Sequence, residues 1–159
     1  MLNQIPFLSS NAKSTLLLRT FGITKVPLLF FCSPSVEELS PTRCHVRIPF
    51  RKVVKNHLGS MYFGALAIGA DTCIGLLAVD KIDRSGKKIN LIFKAFQANF
   101  LKRAEGEAIF ICEEGMLIDE MIAETIRTGE RVNRPVKARA VVKGETVAEF
   151  VLTLSLKLK

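Results

Sequence analysis

The residues best equipped for chemistry lie in one stretch, Asn56-His57-Leu58-Gly59-Ser60-Met61-Tyr62-Phe63-Gly64-Ala65-Leu66-Ala67-Ile68-Gly69-Ala70-Asp71. It opens polar, then turns apolar and rich in small residues as far as about Val79, and Asp71 is the one charge between Lys55 and Asp80. A carboxylate buried among apolar side chains must be hydrogen-bonded, paired or protonated, so its presence needs a cause. Three readings compete. Gly59 to Val79 is about long enough to span a hydrocarbon core; it could equally be a helix buried on every side in a domain core, or that same helix with Asp71 held inside for a reaction. A carboxylate midway along an isolated span is expensive and leaves the flanking strands without a role, which counts against the membrane span.

At 3.6 residues per turn, Ser60, Gly64, Asp71 and Gly75 fall on nearly one side of such a helix, flanked by Ala67 and Ile68. That side is small enough for another backbone or a slender ligand to approach closely. Tyr62 projects to the opposite side, its Cα about 13 Å from that of Asp71 along the axis. One chain could hardly bring both to the same reacting atom, so a site that uses both needs two protomers.

The elements that must position these residues alternate in character. Residues 1–26 read as a helical lead-in, with a short helix over Asn11 to Thr20 closed at Phe21-Gly22. A signal peptide fits poorly, because no basic n-region precedes the first apolar residues. Residues 27–159 read as one domain. Leu28-Leu29-Phe30-Phe31-Cys32, opened by Pro27, suits a buried strand that Pro34 kinks and Val36 to Leu39 continues. Cys44, Val46 and Ile48 alternate with Arg43, His45 and Arg47, the mark of a half-exposed strand. Beyond the central helix, Leu91 to Leu101 and Ala108 to Glu113 are strands joined through Lys102-Arg103-Ala104-Glu105-Gly106. An amphipathic helix ending at Gly129 and a hairpin turning at Gly144 complete the chain. An α+β fold, with an antiparallel sheet wrapped around one long central helix, satisfies this order. Its open edges would be closed by pairing in a dimer.

Composition narrows the function. At 159 residues, 48% hydrophobic and 24% charged, the chain suits one ordered domain. The net charge of +8 suits nucleic acid, an anionic membrane surface or a polyphosphate ligand such as coenzyme A. One Tyr, no Trp and no basic run longer than two argue against nucleic acid. Cys32, Cys44, Cys73 and Cys112 form no Cys-x-x-Cys pair, and neither His45 nor His57 has a spaced ligand partner, so no metal is expected. Four scattered thiols fit a reducing compartment, here taken as the cytoplasm. There is no Gly-x-Ser-x-Gly elbow and no phosphate-cradling Gly-rich loop with Lys.

Asn56, Gly59, Gly64, Ala65, Leu66 and Asp71 match, without gaps, the pattern Asn-x-x-Gly-x-x-His-Gly-Gly-Ala-Leu followed by four residues and Asp. In this the chain resembles the hotdog-fold acyl-CoA thioesterases of the phenylacetyl-CoA type, and most closely a thioesterase-like branch of that superfamily with no assigned substrate. Phe100-Leu101-Lys102-Arg103-Ala104 before Gly106, and the last hairpin with Gly144 and Val147-Ala148, are similar to the family's later strands. The likeness runs from about Leu28 onward. Two positions depart from it: Tyr62 stands where the pattern has His, and Phe63 where it has the first Gly.

The resemblance implies a homodimer, or a dimer of dimers, that hydrolyses an acyl-CoA thioester without a cofactor. It makes Asp71 the general base or the nucleophile. It has Asn56 and Tyr62 of the other subunit position the carbonyl or the water, and the Phe63 N–H polarise the carbonyl at the helix N-terminus. His57, Gly59, Ser60 and Gly64 would lie along the substrate, with His57 equally readable as a surface loop side chain. Lys102 and Arg103, with Arg51, Lys52 and Lys55, would offer charge to the phosphates of coenzyme A. Because Tyr62 and Phe63 depart from the pattern, a second reading stays open: a non-catalytic acyl-CoA or fatty-acyl binding protein of the same fold.

Overall fold

In the computed structural model, which describes residues 10–159, the chain begins with helices Ser10–Lys25 (α1) and Pro27–Cys32 (α2). Strands Ser35–Leu39 (β1) and Cys44–Ile48 (β2), a single 3-10 turn at Lys52–Val54 and the long helix Phe63–Ser85 (α3) follow. Strands Ile89–Phe100 (β3) and Ala108–Cys112 (β4), helix Gly115–Thr128 (α4), and strands Val132–Val142 (β5) and Glu145–Leu158 (β6) complete it. The lead-in over residues 1–9 lies outside the described residues. The six strands form one antiparallel sheet in the order β1-β2-β4-β5-β6-β3, with α3 as its central helix.

The alternating segments fold as their pattern demands. β2 buries Cys44, Val46 and Ile48 and leaves His45 and Arg47 half-buried. β6 buries Phe150, Leu152, Leu154 and Leu156 on one face against the helix side. The β5–β6 hairpin turns through Lys143 and Gly144, at φ 52° and 83°, the left-handed pair a tight antiparallel turn requires. Phe110 and Phe150 meet at 6.3 Å between ring centroids in the core. Gly69 of α3 makes room for them: a Cβ there would collide with the Phe110 ring.

Two local expectations are corrected. Leu28 to Cys32 is not a strand but the helix α2, since Pro27 at the first helical position presets its φ and has no N–H to lose. Five apolar residues carry too little periodicity to separate the two. α1 does not stop at Gly22 either but runs on to Lys25. Gly22 is buried against α2, where a Cβ would stand 3.0 Å from the Phe30 nitrogen, so this glycine serves helix–helix approach.

α3 is long and apolar enough to cross a bilayer by length and composition. Here one of its faces is packed into the sheet through Ala70, Cys73, Ile74, Leu77 and Ala78. It closes at Gly86, whose φ of 67° completes a left-handed cap.

Candidate functional site

The loop before α3 is held by one side chain. Asn56 Oδ1 accepts from the backbone N–H of Leu58 at 2.9 Å and of Ser60 at 3.2 Å, while Asn56 Nδ2 lies 3.2 Å from Ser60 Oγ. The backbone closes the same loop from Asn56 N–H to the Ser60 carbonyl at 2.8 Å, and Gly59 turns it at φ 78°. Ser60 is therefore buried in this loop, not placed on the helix as its spacing suggested, because α3 starts only at Phe63. Arg103 reaches across from the β3–β4 turn and donates to the Leu58 carbonyl at 2.6 Å. Met61 N–H donates to the Ala104 carbonyl at 2.8 Å, so both connections are fastened together.

Tyr62 is the residue before the first turn of α3, in extended conformation. The carbonyl of Tyr62 accepts from Ala65 at 2.9 Å and from Leu66 at 3.1 Å. Among the described residues, nothing accepts from the N–H of Phe63 or of Gly64. Two backbone donors thus stand open at the positive end of a 23-residue helix. The Tyr62 ring packs on Phe63 at 4.6 Å between centroids and folds over Gly64. Gly64 and Asp71 are seven residues apart and project within about 20° of each other, so the ring lies on the Asp71 side of the helix. The expectation that Tyr62 points away fails, because the residue precedes the helix and does not follow its spacing.

Asp71 is exposed in this chain, contrary to the all-round burial expected of α3. It lies on the i, i+4 row Phe63, Ala67, Asp71, Gly75 and Val79, each member of which is exposed or half-buried. The apolar composition of the row concealed this, since small residues can line an open flank as readily as a core. Protein packed around the carboxyl still desolvates it and holds its pKa above the ordinary aspartate value of 3.8. No hydrogen bond or ion pair engages it among the described residues.

The edge strand β3 supplies a feature that sequence spacing obscured. A bulge between Phe93 and Ala95 shifts its register, so that Phe93, Phe96 and Phe100 all share the face of Leu154, Leu152 and Ala148. Phe96 and Phe100 are exposed there, and Phe93 approaches Gly75 of α3. The irregular spacing of the three phenylalanines was the available signal. Of the basic residues, Lys102 pairs with Glu145 at 3.0 Å and Arg103 also meets Glu105 at 3.2 Å, both at the surface. His57 is exposed, and no partner engages it among the described residues. A depression of about 510 Å³ between α1 and β1 shares none of these residues.

The family described as Domain of unknown function (DUF4442) matches residues 15–156. The chain belongs to the DUF4442 family. A Pseudomonas aeruginosa protein of unknown function, PA5026, described as a probable thioesterase, is 25% identical over 91% of this chain and 96% of its own, with a TM-score of 0.78. A Chlorobaculum tepidum protein of unknown function, OLEI01261, is 12% identical over 94% and 97% with a TM-score of 0.80. A mutant of the thioesterase SAV0944 of Staphylococcus aureus is 17% identical over 82% and 98% with a TM-score of 0.64. The last two likenesses concern the fold alone. Among curated proteins, none matches the chain by sequence. This DUF4442 chain is a member of the thioesterase-like hotdog superfamily.

Open helix N-terminal donors suit an oxygen that gains negative charge, and a desolvated carboxylate suits proton removal. Within this DUF4442 chain, Phe63 and Asp71 are separated by about 12 Å along the helix, too far to serve one carbonyl group.

Proposed function

We propose that this DUF4442 protein hydrolyses an acyl-CoA thioester at sites built between two subunits. The observation that carries the reading is the pair of open N–H groups at Phe63 and Gly64, beside Tyr62, on the same open flank of α3 as the desolvated Asp71. In this reaction the Asp71 carboxylate of one subunit takes a proton from water, and the hydroxide attacks the thioester carbon. The oxygen of the tetrahedral intermediate accepts hydrogen bonds from the first turn of the other subunit's α3. Collapse breaks the C–S bond, and the coenzyme A thiolate leaves with the proton from Asp71. Direct attack by the carboxylate, giving an anhydride that water then cleaves, uses the same residues. Asn56 acts by fixing the loop that delivers Tyr62, and its second Nδ2 hydrogen, without an acceptor among the described residues, is offered to water or carbonyl.

The β3 edge, unpaired among the described residues, and the exposed Phe96 and Phe100 beside it support assembly as a homodimer. Lys102, Arg103 and the exposed Lys52 and Lys55 give coenzyme A phosphates a cationic approach. Four buried free thiols support placement in the cytoplasm.

The replacement of His-Gly by Tyr62-Phe63 favours one rival, an acyl-CoA binding protein without turnover. Thiol release from short, long and aromatic acyl-CoAs, with Asp71→Ala alongside, separates the two. Saturable release that vanishes in the variant is expected of the hydrolase. Tight acyl-CoA binding by both proteins, with no release from either, would establish the binding protein instead.

A further inference from the structure

The helical hairpin α1–α2 carries a surface that thioester chemistry does not use. Leu16, Leu17, Phe21 and Ile23 of α1 are exposed, as are Leu28 and Phe31 of α2, with exposures of 42–63%. Leu18 and Gly22 of α1, with Leu29 and Cys32 of α2, face inward, so the exposed residues form an outer face of a hairpin already packed on its inner side. Apolar surface concentrated in this way marks a contact site.

Two further observations identify what the face contacts. The hydroxyls interleaved on it are turned inward: Thr20 Oγ1 donates to the Leu16 carbonyl at 2.9 Å and Thr24 Oγ1 to the Thr20 carbonyl at 2.9 Å. Back-bonding of this kind leaves only methyl groups facing out, which suits surroundings that offer no hydrogen bonds. The charge is also of one sign. No Asp or Glu occurs before Glu37, whereas Lys13, Arg19 and Lys25 lie on α1. Among the described residues, neither Lys13 nor Lys25 has a carboxylate partner. Arg51 is drawn to the end of α2, donating to the Phe31 carbonyl at 3.2 Å and to Ser33 Oγ, and exposed Lys52 follows it.

A second copy of this chain is a poor occupant. An isologous contact would press Lys13 and Lys25 toward their own copies with no acid on either hairpin to offset them, while Arg19 is turned aside to the Pro34 carbonyl at 3.3 Å. An apolar helical face rimmed by cations is instead matched by lipid headgroups, with acyl chains receiving the aromatic and aliphatic side chains. We propose that the outer face of α1–α2 docks this protein on an anionic membrane surface. The aliphatic stems of Lys13 and Lys25 lie along the face while their ammonium groups reach the headgroups. The binding is peripheral and is independent of the thioesterase reading.

Co-sedimentation of the full chain with vesicles tests this. The protein should pellet with phosphatidylcholine–phosphatidylglycerol vesicles, much less with pure phosphatidylcholine, and should be released as salt rises. Two paired variants accompany it, altering the exposed Phe21, Lys25 and Phe31 and the half-buried Lys13, none of them in the core, so their melting curves should overlay that of the wild type. Lys13→Gln with Lys25→Gln should weaken partition by roughly fivefold per lysine. Phe21→Ser with Phe31→Ser should weaken it by at least about tenfold. A wild-type protein that stays in the supernatant, or pellets regardless of lipid charge and salt, overturns the proposal. So does a change of oligomeric size in the Phe21→Ser, Phe31→Ser variant without vesicles, which would make the face a contact between protein copies.

Discussion

The Tyr62 ring folds over Gly64, so closely that a Cβ on Gly64 would stand 2.5 Å from Tyr62 Cε1. Gly64→Ala must therefore move the ring away from the open donors of α3. Tyr62 is 48% exposed, so the ring can swing into solvent and the melting temperature should hardly change. Thioester turnover should nevertheless fall about tenfold or more, because misplacing a positioning group by an ångström is costly. Unchanged kcat/KM in this variant would remove Tyr62 from the site.

Asn56 separates a structural from a chemical duty. Its Oδ1 holds two backbone N–H groups, and a carboxylate oxygen can accept the same bonds. Asn56→Asp should keep the loop and the stability, whereas Asn56→Ala should cost about 1–2 kcal/mol by leaving those donors without a partner. An Nδ2 hydrogen used on substrate or water makes the Asp variant inactive while it remains folded, as the loss of that donor is joined by repulsion between the new carboxylate and the developing oxyanion. If Asn56→Asp is as active as the wild type, the residue is a loop clasp and nothing more.

Asp71 links activity and stability to pH in opposite senses. Desolvation raises its folded pKa above the ordinary 3.8, so the proton is held more tightly folded than unfolded. Its contribution to stability is fully present below the unfolded value and is lost as pH rises through the folded one. Asp71→Asn should then melt higher than wild type near neutral pH, with the gain fading as pH falls through the raised folded pKa and gone by about pH 3.8. Hydrolysis by the wild type should show an acid limb with its midpoint above that value, since only the ionised carboxylate accepts a proton. A midpoint at or below it would mean that another group sets the limb.

How far the sequence exposed this arrangement depended on where pattern and packing agree. β2, the β5–β6 hairpin and α4 bury one face each, so period and burial coincide and each could be read directly. α3 could be placed but not oriented, because Ala67 and Gly75 on its open flank look like the small residues Ala70 and Ala78 in its core. The Tyr62 ring and the Asn56 loop were beyond reach because both precede the helix, where backbone dihedrals and hydrogen bonds, not spacing, aim the side chains.

Gly69 isolates packing from chemistry. The space beside it is filled by the fully buried Phe110 of β4, and the ring has no solvent to retreat into. Gly69→Ala should destabilise by about 1–3 kcal/mol despite the better helix propensity of alanine. Urea unfolding gives the value directly. A neutral result would mean that the core at Phe110 yields more readily than its burial suggests.

The two-subunit site stands or falls with β3. Its outer edge has no strand partner among the described residues, while Phe96 and Phe100 leave 45% and 50% of their surface uncovered on the helix side. A carboxylate introduced at both positions would have to be desolvated on association, at a cost of several kcal/mol. Phe96→Glu with Phe100→Glu should therefore sediment as a monomer while retaining its far-ultraviolet spectrum, because neither ring belongs to the buried core. Turnover should disappear with the dimer, since Phe63 and Asp71 of one protomer lie about 12 Å apart. Mixing this variant with excess Asp71→Ala protein should not restore activity if the edge itself no longer pairs. A monomeric variant with full turnover would place the whole reaction within one chain and sink the shared site.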